Sequence, residues 1–403
     1  MKKIAIVTLS VALDGEKGYS RFRFLANMLS QYYRVDLITS TFQHWEKKQR
    51  DVSAVSKMNS KFNIELAYEP GYKKNVDIRR FFSHRIAVKN IIRLLEKREY
   101  DLIYCIIPDN NMAAAVGRFA KKKGIKYIVD IEDLWPEAME MVMHLPEILN
   151  RMLFYSFRKD AKTAYECADA FVGTSDEYRD VPKQKYGIEG KQAVTVYVGC
   201  DLSDFDNGAK EFENEIDKPD EEFWVTYAGN LGSSYDIPTL IKAAQKLYDD
   251  YPKVMIKLLG GGPLEEEFKN IAKAKPCNVE FVGYIPYRKM AAYLVKSDVL
   301  VNSFVRKAPQ SIVTKIGDYL AAGRPMINTL TSPEFRKKVE MDGFGVNVEA
   351  EDADSLKNAI LSLYNNTICC QMGMNARHLA ETEFDRKISY KQIDKMIAKL
   401  IDG

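Results

Sequence analysis

Short apolar runs of strand length alternate with stretches of helical period along most of this chain, and the alternation runs through twice. Residues 3–9, 35–40, 101–107, 127–131, 170–174 and 193–198 read as buried strands, with helical stretches at 20–31 and 111–123. Near-continuous apolar strands joined by helices specify parallel sheets covered on both faces. Segment 203–222 is acidic, with Gly and Pro, and reads as a linker. The pattern then restarts, with strands at 223–228, 254–259, 279–282, 299–302 and 325–328 and helices at 237–250, 264–273, 286–296 and 311–322. The fold class is α/β, with two doubly wound domains at 1–203 and 223–384. From 377 onward the chain is helical again.

A chain of 403 residues is too long for one ordinary core, which agrees with two domains. The six cysteines show no Cys-x-x-Cys pair and fit reduced thiols rather than a disulfide or zinc framework. Met1-Lys2-Lys3 followed by an apolar run imitates a secretory signal, but the helix and strand that follow make it the first strand of a βαβ unit. No apolar run approaches the roughly 18 residues needed to span a bilayer. The net charge of +3 hides an asymmetry: residues 1–100 hold 20 Lys and Arg against 10 Asp and Glu. Segment 77–98 reads as a helix with Arg85, Lys89, Arg93 and Lys97 in one basic stripe. Such a stripe is either a solvated face or a surface for anionic lipid.

Residues 313–327 read VTKIGDYLAAGRPMI, a helix that carries Asp318 and stops at Gly323, with Pro325 leading into a strand. This arrangement resembles the nucleotide-sugar motif of family 4 glycosyltransferases, Glu-x7-Glu followed by Ala-Met-Ala-x-Gly-x-Pro-Val-Ile. Asp318 stands for the second acid, and Gln310 stands where the first belongs. The resemblance covers nearly the whole chain and is densest from 223 to 385. It implies the GT-B architecture, two Rossmann-like domains with parallel sheets facing a central cleft, and a last helix, about 385–403, packing back on the first domain.

By that resemblance Asp318 accepts hydrogen bonds from the donor's ribose, a task that suits an acceptor-only carboxylate. Gln310 meets the donor sugar, as an amide without charge. Ser311 and Ile312 begin the helix and offer free amides to a diphosphate. The family's Arg and Lys on the glycine loop are replaced in YAGNLGSSYDI by Asn230 and Tyr235, so Lys315 first and Arg306 second are expected to supply the missing charge. Gly229 and Gly232 let the loop approach the ligand, and backbone groups around Tyr284 and Ile285 meet the base. Gly260 to Pro263 (GGGP) reads as a positioning loop. In the first domain Gly18 belongs to a loop facing donor and acceptor. Segment 130–137 (DIEDLWPE) resembles one that faces the cleft, which makes Asp130 and Glu132 catalytic candidates beside Gln310. Asp352 and Asp354 imitate a metal motif, but their place before a helix makes Asp352 a cap.

The implied activity is metal-independent, retaining sugar transfer from a nucleotide-sugar, expected to be a UDP-sugar bound as substrate with no cofactor. The implied acceptor is a glycan or a polyprenyl-diphosphate-linked glycan, in bacterial capsule, O-antigen or exopolysaccharide synthesis. The expected location is cytoplasmic and peripheral on the inner face of the plasma membrane, through Arg85, Lys89, Arg93 and Lys97, with no nucleic-acid partner. Two alternatives stay open: a nucleotide-sugar epimerase of the same fold, and a non-catalytic relative that binds a glycan or partner.

Overall fold

The structure is a computed structural model that describes residues 1–403 except 75, 76, 138, 141–145, 309, 365 and 403. The chain forms two compact units, Met1–Val196 with Tyr390–Gly403, and Tyr197–Ser389.

Among the described residues, the sheet of the first unit has seven parallel strands: β1 (Lys3–Val7), β2 (Arg34–Ser40), β5 (Asn63–Ala67), β6 (Leu102–Ile107), β7 (Lys126–Ile131), β8 (Ala170–Gly173) and β9 (Gln192–Thr195). Their spatial order is β5-β2-β1-β6-β7-β8-β9. A short antiparallel pair, β3 (Phe42–Gln43) and β4 (Lys48–Gln49), follows β2. Every residue of β6 (LIYCII) is buried, as a strand covered on both faces requires. The first strand lies inside this sheet, paired with β2 and β6, so the N-terminal apolar run is structural. The last helix, Lys391–Asp402, buries Ile393, Met396 and Ile397 in the same apolar cluster as Ile4, Phe22 and Leu25.

The second unit carries β10 (Phe223–Ala228), β11 (Val254–Leu259), β12 (Val279–Gly283), β13 (Val299–Asn302), β14 (Met326–Asn328) and β15 (Gly345–Asn347) in the order β12-β11-β10-β13-β14-β15, all parallel. Numbered from its own first strand this is 3-2-1-4-5-6, the Rossmann order, whose ligand crevice opens where β10 and β13 part company at their carboxyl ends.

Two expectations are corrected here. Segment 203–222 is no free linker. Leu202–Glu211 is a helix capped by Asp201, and it buries Leu202 and Phe205 in the second unit's core with Ala291 and Leu294. A methyl group on Gly208 would sit 2.6 Å from Arg288 Cα, so this helix touches the helix Tyr287–Lys296 backbone to backbone. The three-residue apolar spacing was hidden by the acids on the outward face. The helix expected at 311–322 begins only at Lys315 and ends at Ala321. Ser311 and Ile312 precede it, because their side chains are buried instead of turning outward at a helix start.

Candidate functional site

The crevice of the second unit is built on three glycines. Gly229 follows β10 with φ of 155°, and Gly260 follows β11 with φ of 118°. A methyl group on Gly260 would stand 1.9 Å from the Gly229 carbonyl oxygen, and one on Gly262 would stand 2.4 Å from that of Leu231. Only glycine permits this backbone approach. The 260–263 loop therefore props the 229–232 loop, as a positioning element should.

Tyr319 fixes the helix beside it. Its buried hydroxyl accepts the Ala228 N–H at 2.8 Å and lies 3.3 Å from the Val301 carbonyl, so it clasps the ends of β10 and β13. Ile316 and Leu320 bury alongside it. This leaves Lys315 and Asp318, three residues apart, on one face of the helix at the crevice.

Lys315 is caged. Its Nζ stands 4.0 Å from the centre of the Tyr227 ring, 4.5 Å from Tyr235 and 5.4 Å from Phe304. It is closed off from solvent and, among the described residues, has no hydrogen-bond partner. Ring faces attract a cation but satisfy none of its three donors. A methyl group on Gly229 would come within 3.1 Å of it, so the ammonium adjoins the glycine loop. Burial pushes its pKa well below the lysine value of 10.5.

Asp318 sits in the first turn of its helix, nearer the start than the sequence suggested. Its Oδ1 accepts the Tyr287 hydroxyl at 2.8 Å. Burial lifts the carboxyl to about 6, while the Tyr287 hydrogen bond and the charge of Arg386 oppose the rise. Behind it, Gly199 and Cys200 pack on Gly317, whose added methyl would lie 2.7 Å from the Gly199 carbonyl carbon.

The other expected residues divide. Gln310 Oε1 is closed off and unpartnered among the described residues. Asn230 is exposed on the loop, where its carbonyl accepts the Tyr227 hydroxyl at 2.8 Å, and Gly232 is buried beneath it. Tyr284 is exposed and Ile285 half-buried, just after β12. Ser311 faces Ser332, Oγ to Oγ at 3.4 Å, and Ile312 joins the apolar core. Neither offers a helix-end amide. Arg306 donates to the Ala350 carbonyl at 2.9 Å, and its own amide binds Glu351 at 3.0 Å, so it braces a neighbouring loop. Asp352 caps Ala353–Leu363 through the amides of Asp354 and Ser355.

In the first unit Asp130 is fully buried at the end of β7. Its Oδ2 accepts from Arg21 at 2.9 Å and from the Tyr104 hydroxyl at 2.6 Å. Glu132 accepts from the Tyr19 hydroxyl at 2.8 Å and lies 3.3 Å from Arg21 Nε. Asp130 thus anchors a buried arginine, whereas Glu132 keeps part of its carboxylate exposed. Gly18, with φ of 124°, lies under the Trp45 indole in a loop pinned by the Arg50–Glu16 pair at 2.8 Å. Among the described residues no group of three or more His, Cys, Asp or Glu side chains is placed to hold a metal.

Sequence reasoning passed over Tyr287, Tyr227, Phe304 and Tyr319. An aromatic looks like core in a sequence unless its partner across the fold is known. It also passed over His84, which meets buried Asp109 beyond β6.

Residues 222–366 match the family model described as "Glycosyl transferases group 1". The putative colanic acid biosynthesis glycosyl transferase WcaI of Escherichia coli K12 is 25% identical over 187 residues, 44% of this chain and 44% of that protein. The alignment thus spans less than half of that relative. Sucrose-phosphate synthase from Thermosynechococcus elongatus superposes with a TM-score of 0.72 at 18% identity over 100% of both chains. Anabaena HepE, solved with UDP-glucose, superposes with a TM-score of 0.72 at 15% identity over 99% of this chain and 100% of that one. These likenesses give the fold, GT-B, with its two parallel-sheet units. That family match lies wholly within the second unit of the chain.

Proposed function

We propose that this protein transfers a sugar from a nucleotide-sugar, a UDP-sugar, to a glycan acceptor with retention of anomeric configuration. The observation that carries the reading is Lys315: an ammonium closed off from solvent, without a hydrogen-bond acceptor among the described residues, beside a glycine loop at a Rossmann switch point. A diphosphate on that loop supplies the missing acceptors and the counter-charge. Asp318, on the same helix face, accepts from the ribose hydroxyls, and Gln310 accepts from a hydroxyl of the donor sugar. In this reading Lys315 stabilises the charge that develops on the departing diphosphate, and no metal takes part. The acceptor hydroxyl attacks from the face the diphosphate leaves.

The solved HepE complexes hold UDP and UDP-glucose, which supports a uridine donor. The name of the WcaI relative supports a surface polysaccharide as the destination, in capsule, O-antigen or exopolysaccharide synthesis. A lipid-linked acceptor there lies at the cytoplasmic membrane face, which makes the protein a peripheral membrane enzyme.

Thermal melting with a panel of nucleoside diphosphates tests donor binding. A ligand at 100 times its dissociation constant stabilises the folded state by about 2.7 kcal/mol. UDP should do so, and the absence of a shift with every diphosphate overturns the reading. Product analysis with donor alone then separates transfer from epimerisation, since an epimerase converts the donor without an acceptor.

A further inference from the structure

The first unit presents a large apolar surface with nothing folded over it among the described residues. In the short helix Glu147–Leu153, Ile148 is 75% exposed, Met152 73%, and Leu149 and Leu153 about half. No residue of that helix is buried. Tyr155, just beyond, is also exposed. Buried and half-buried aromatic rings, starting from the buried Phe154, join this segment to the helix Ile78–Leu95. Phe154 meets Phe157 at 5.8 Å, Phe157 meets Phe81 at 6.1 Å, and Phe81 meets Phe82 at 5.9 Å. Ile78, Phe82 and Ile86 are exposed there.

That second helix is basic on its exposed face. It carries Arg79, Arg80, Arg85, Lys89 and Arg93 and no acid. At about 100° per residue, Ile78, Phe82, Ile86, Arg85, Lys89 and Arg93 fall within one outward sector of roughly 100°. The opposite sector holds the buried Ala87, Val88, Ile91 and Leu95. Arg85 lies 4.1 Å over the Phe81 ring, so the cations and the apolar groups form one surface. Arg151 adds a further exposed cation on the short helix.

Exposed aliphatic groups with Arg and Lys nearby suit the boundary between acyl chains and anionic headgroups, although Glu147 is also exposed at the start of the short helix. A second copy of this chain fits poorly, because a two-fold contact would press this acid-free helix face against its own image. We infer that Glu147–Leu153, flanked by the basic face of Ile78–Leu95, is an interfacial anchor. Ile148, Leu149, Met152 and Leu153 enter an anionic bilayer, and Arg85, Lys89 and Arg93 meet its phosphates. The proposed membrane location gains its contact surface here, but the assignment stands on this patch and not on the donor site.

The test is sedimentation with phosphatidylglycerol–phosphatidylcholine vesicles and with pure phosphatidylcholine vesicles, without nucleotide. Wild type should sediment with the first and much less with the second. Leu149→Asp with Met152→Asp should lower partitioning by about a hundredfold, since two aliphatic side chains leave hydrocarbon. Arg85→Glu with Lys89→Glu and Arg93→Glu should lower it by a similar factor. Circular dichroism and UDP binding confirm that the variants are folded. Three results overturn the anchor: no sedimentation of wild type, equal sedimentation with both vesicles, or full sedimentation of the double aspartate variant. A dimer in gel filtration that the double aspartate variant abolishes, without vesicle binding, would make the patch a contact between copies.

Discussion

Tyr235 stands where the family carries a loop lysine, and its ring centre lies 4.5 Å from the Nζ of Lys315. Lys315 brings a cation to the glycine loop from the helix, and the Tyr235 ring forms part of its cage. Tyr227 completes that cage at 4.0 Å, and its hydroxyl holds the loop through the Asn230 carbonyl.

Lys315→Met should therefore separate stability from binding. Replacing a buried, unpaired charge by an apolar side chain of similar length should stabilise the free protein by about 1–4 kcal/mol. UDP affinity should fall by about 1.5–3 kcal/mol, while uridine affinity stays constant. The sign of the pH dependence follows from the depressed pKa. The unfolded chain binds the proton more tightly, so this group destabilises the free protein at neutral pH. The penalty is relieved as pH rises from the folded pKa toward 10.5. Melting curves and titration calorimetry of both ligands check these outcomes. Equal losses for uridine and UDP would show that Lys315 supports the fold and not the phosphates.

Asp318 gives a second pH signature. Its carboxyl is raised to about 6 by burial, so it is ionised above that value, and below it the group loses its charge and offers one acceptor oxygen fewer to a vicinal diol. Uridine binding should weaken as pH falls through about 6, and uridine itself does not titrate there. The raised pKa also means that the folded state holds this proton better than the unfolded chain, with its ordinary value of 3.8. Stability from this group is therefore present below 3.8 and lost as pH rises through about 6. Asp318→Ala should remove both dependences and weaken nucleoside binding by about 1.5–3 kcal/mol. Affinity measured across this pH range decides it, and a flat wild-type profile would exclude Asp318 as the ribose acceptor.

The sheets were legible because buried parallel strands write continuous apolar runs, and β10, β11 and β13 begin and end where the sequence put them. The helix that carries Lys315 and Asp318 was legible through the Gly-x-Pro punctuation that follows it. The role of Ser311 and Ile312 was not, because a helix start is fixed by which side chains bury, and Ile312 buries in the core. Asp130 looked catalytic for a similar reason. An acid at a strand end reads alike in sequence whether it faces a ligand or a buried Arg21 109 residues away.

Asp130→Ala should thus behave as a stability variant. It would leave Arg21, fully buried, without its main counter-charge, and breaking such a pair costs about 3–5 kcal/mol. Glu132→Gln should cost far less, since that carboxylate is partly exposed and its amide replacement still accepts from Tyr19. Denaturant unfolding ranks the two. An Asp130→Ala protein as stable as wild type would return Asp130 to the substrate.

Gly260→Ala tests whether the propping glycines shape the donor loop. The added methyl would stand 1.9 Å from the Gly229 carbonyl oxygen, on a residue with φ of 118° that L side chains rarely adopt. Backbone and not a flexible side chain is struck, so the 229–232 loop must move and the Gly260 N–H bond to the Gly283 carbonyl, 2.8 Å, must strain. Strain of this kind costs on the order of 1–3 kcal/mol. UDP affinity should fall by tenfold or more, because a shifted Gly229 leaves Lys315 out of reach of the phosphates, roughly 1.4 kcal/mol for each factor of ten. Gly124→Ala is the control: its φ of 67° is also positive, but nothing lies within 4 Å of the added methyl. It should therefore lower stability slightly and leave UDP binding unchanged. Equal UDP affinity in the two variants would show that the loop contact at Gly260 does not set the geometry of the donor site.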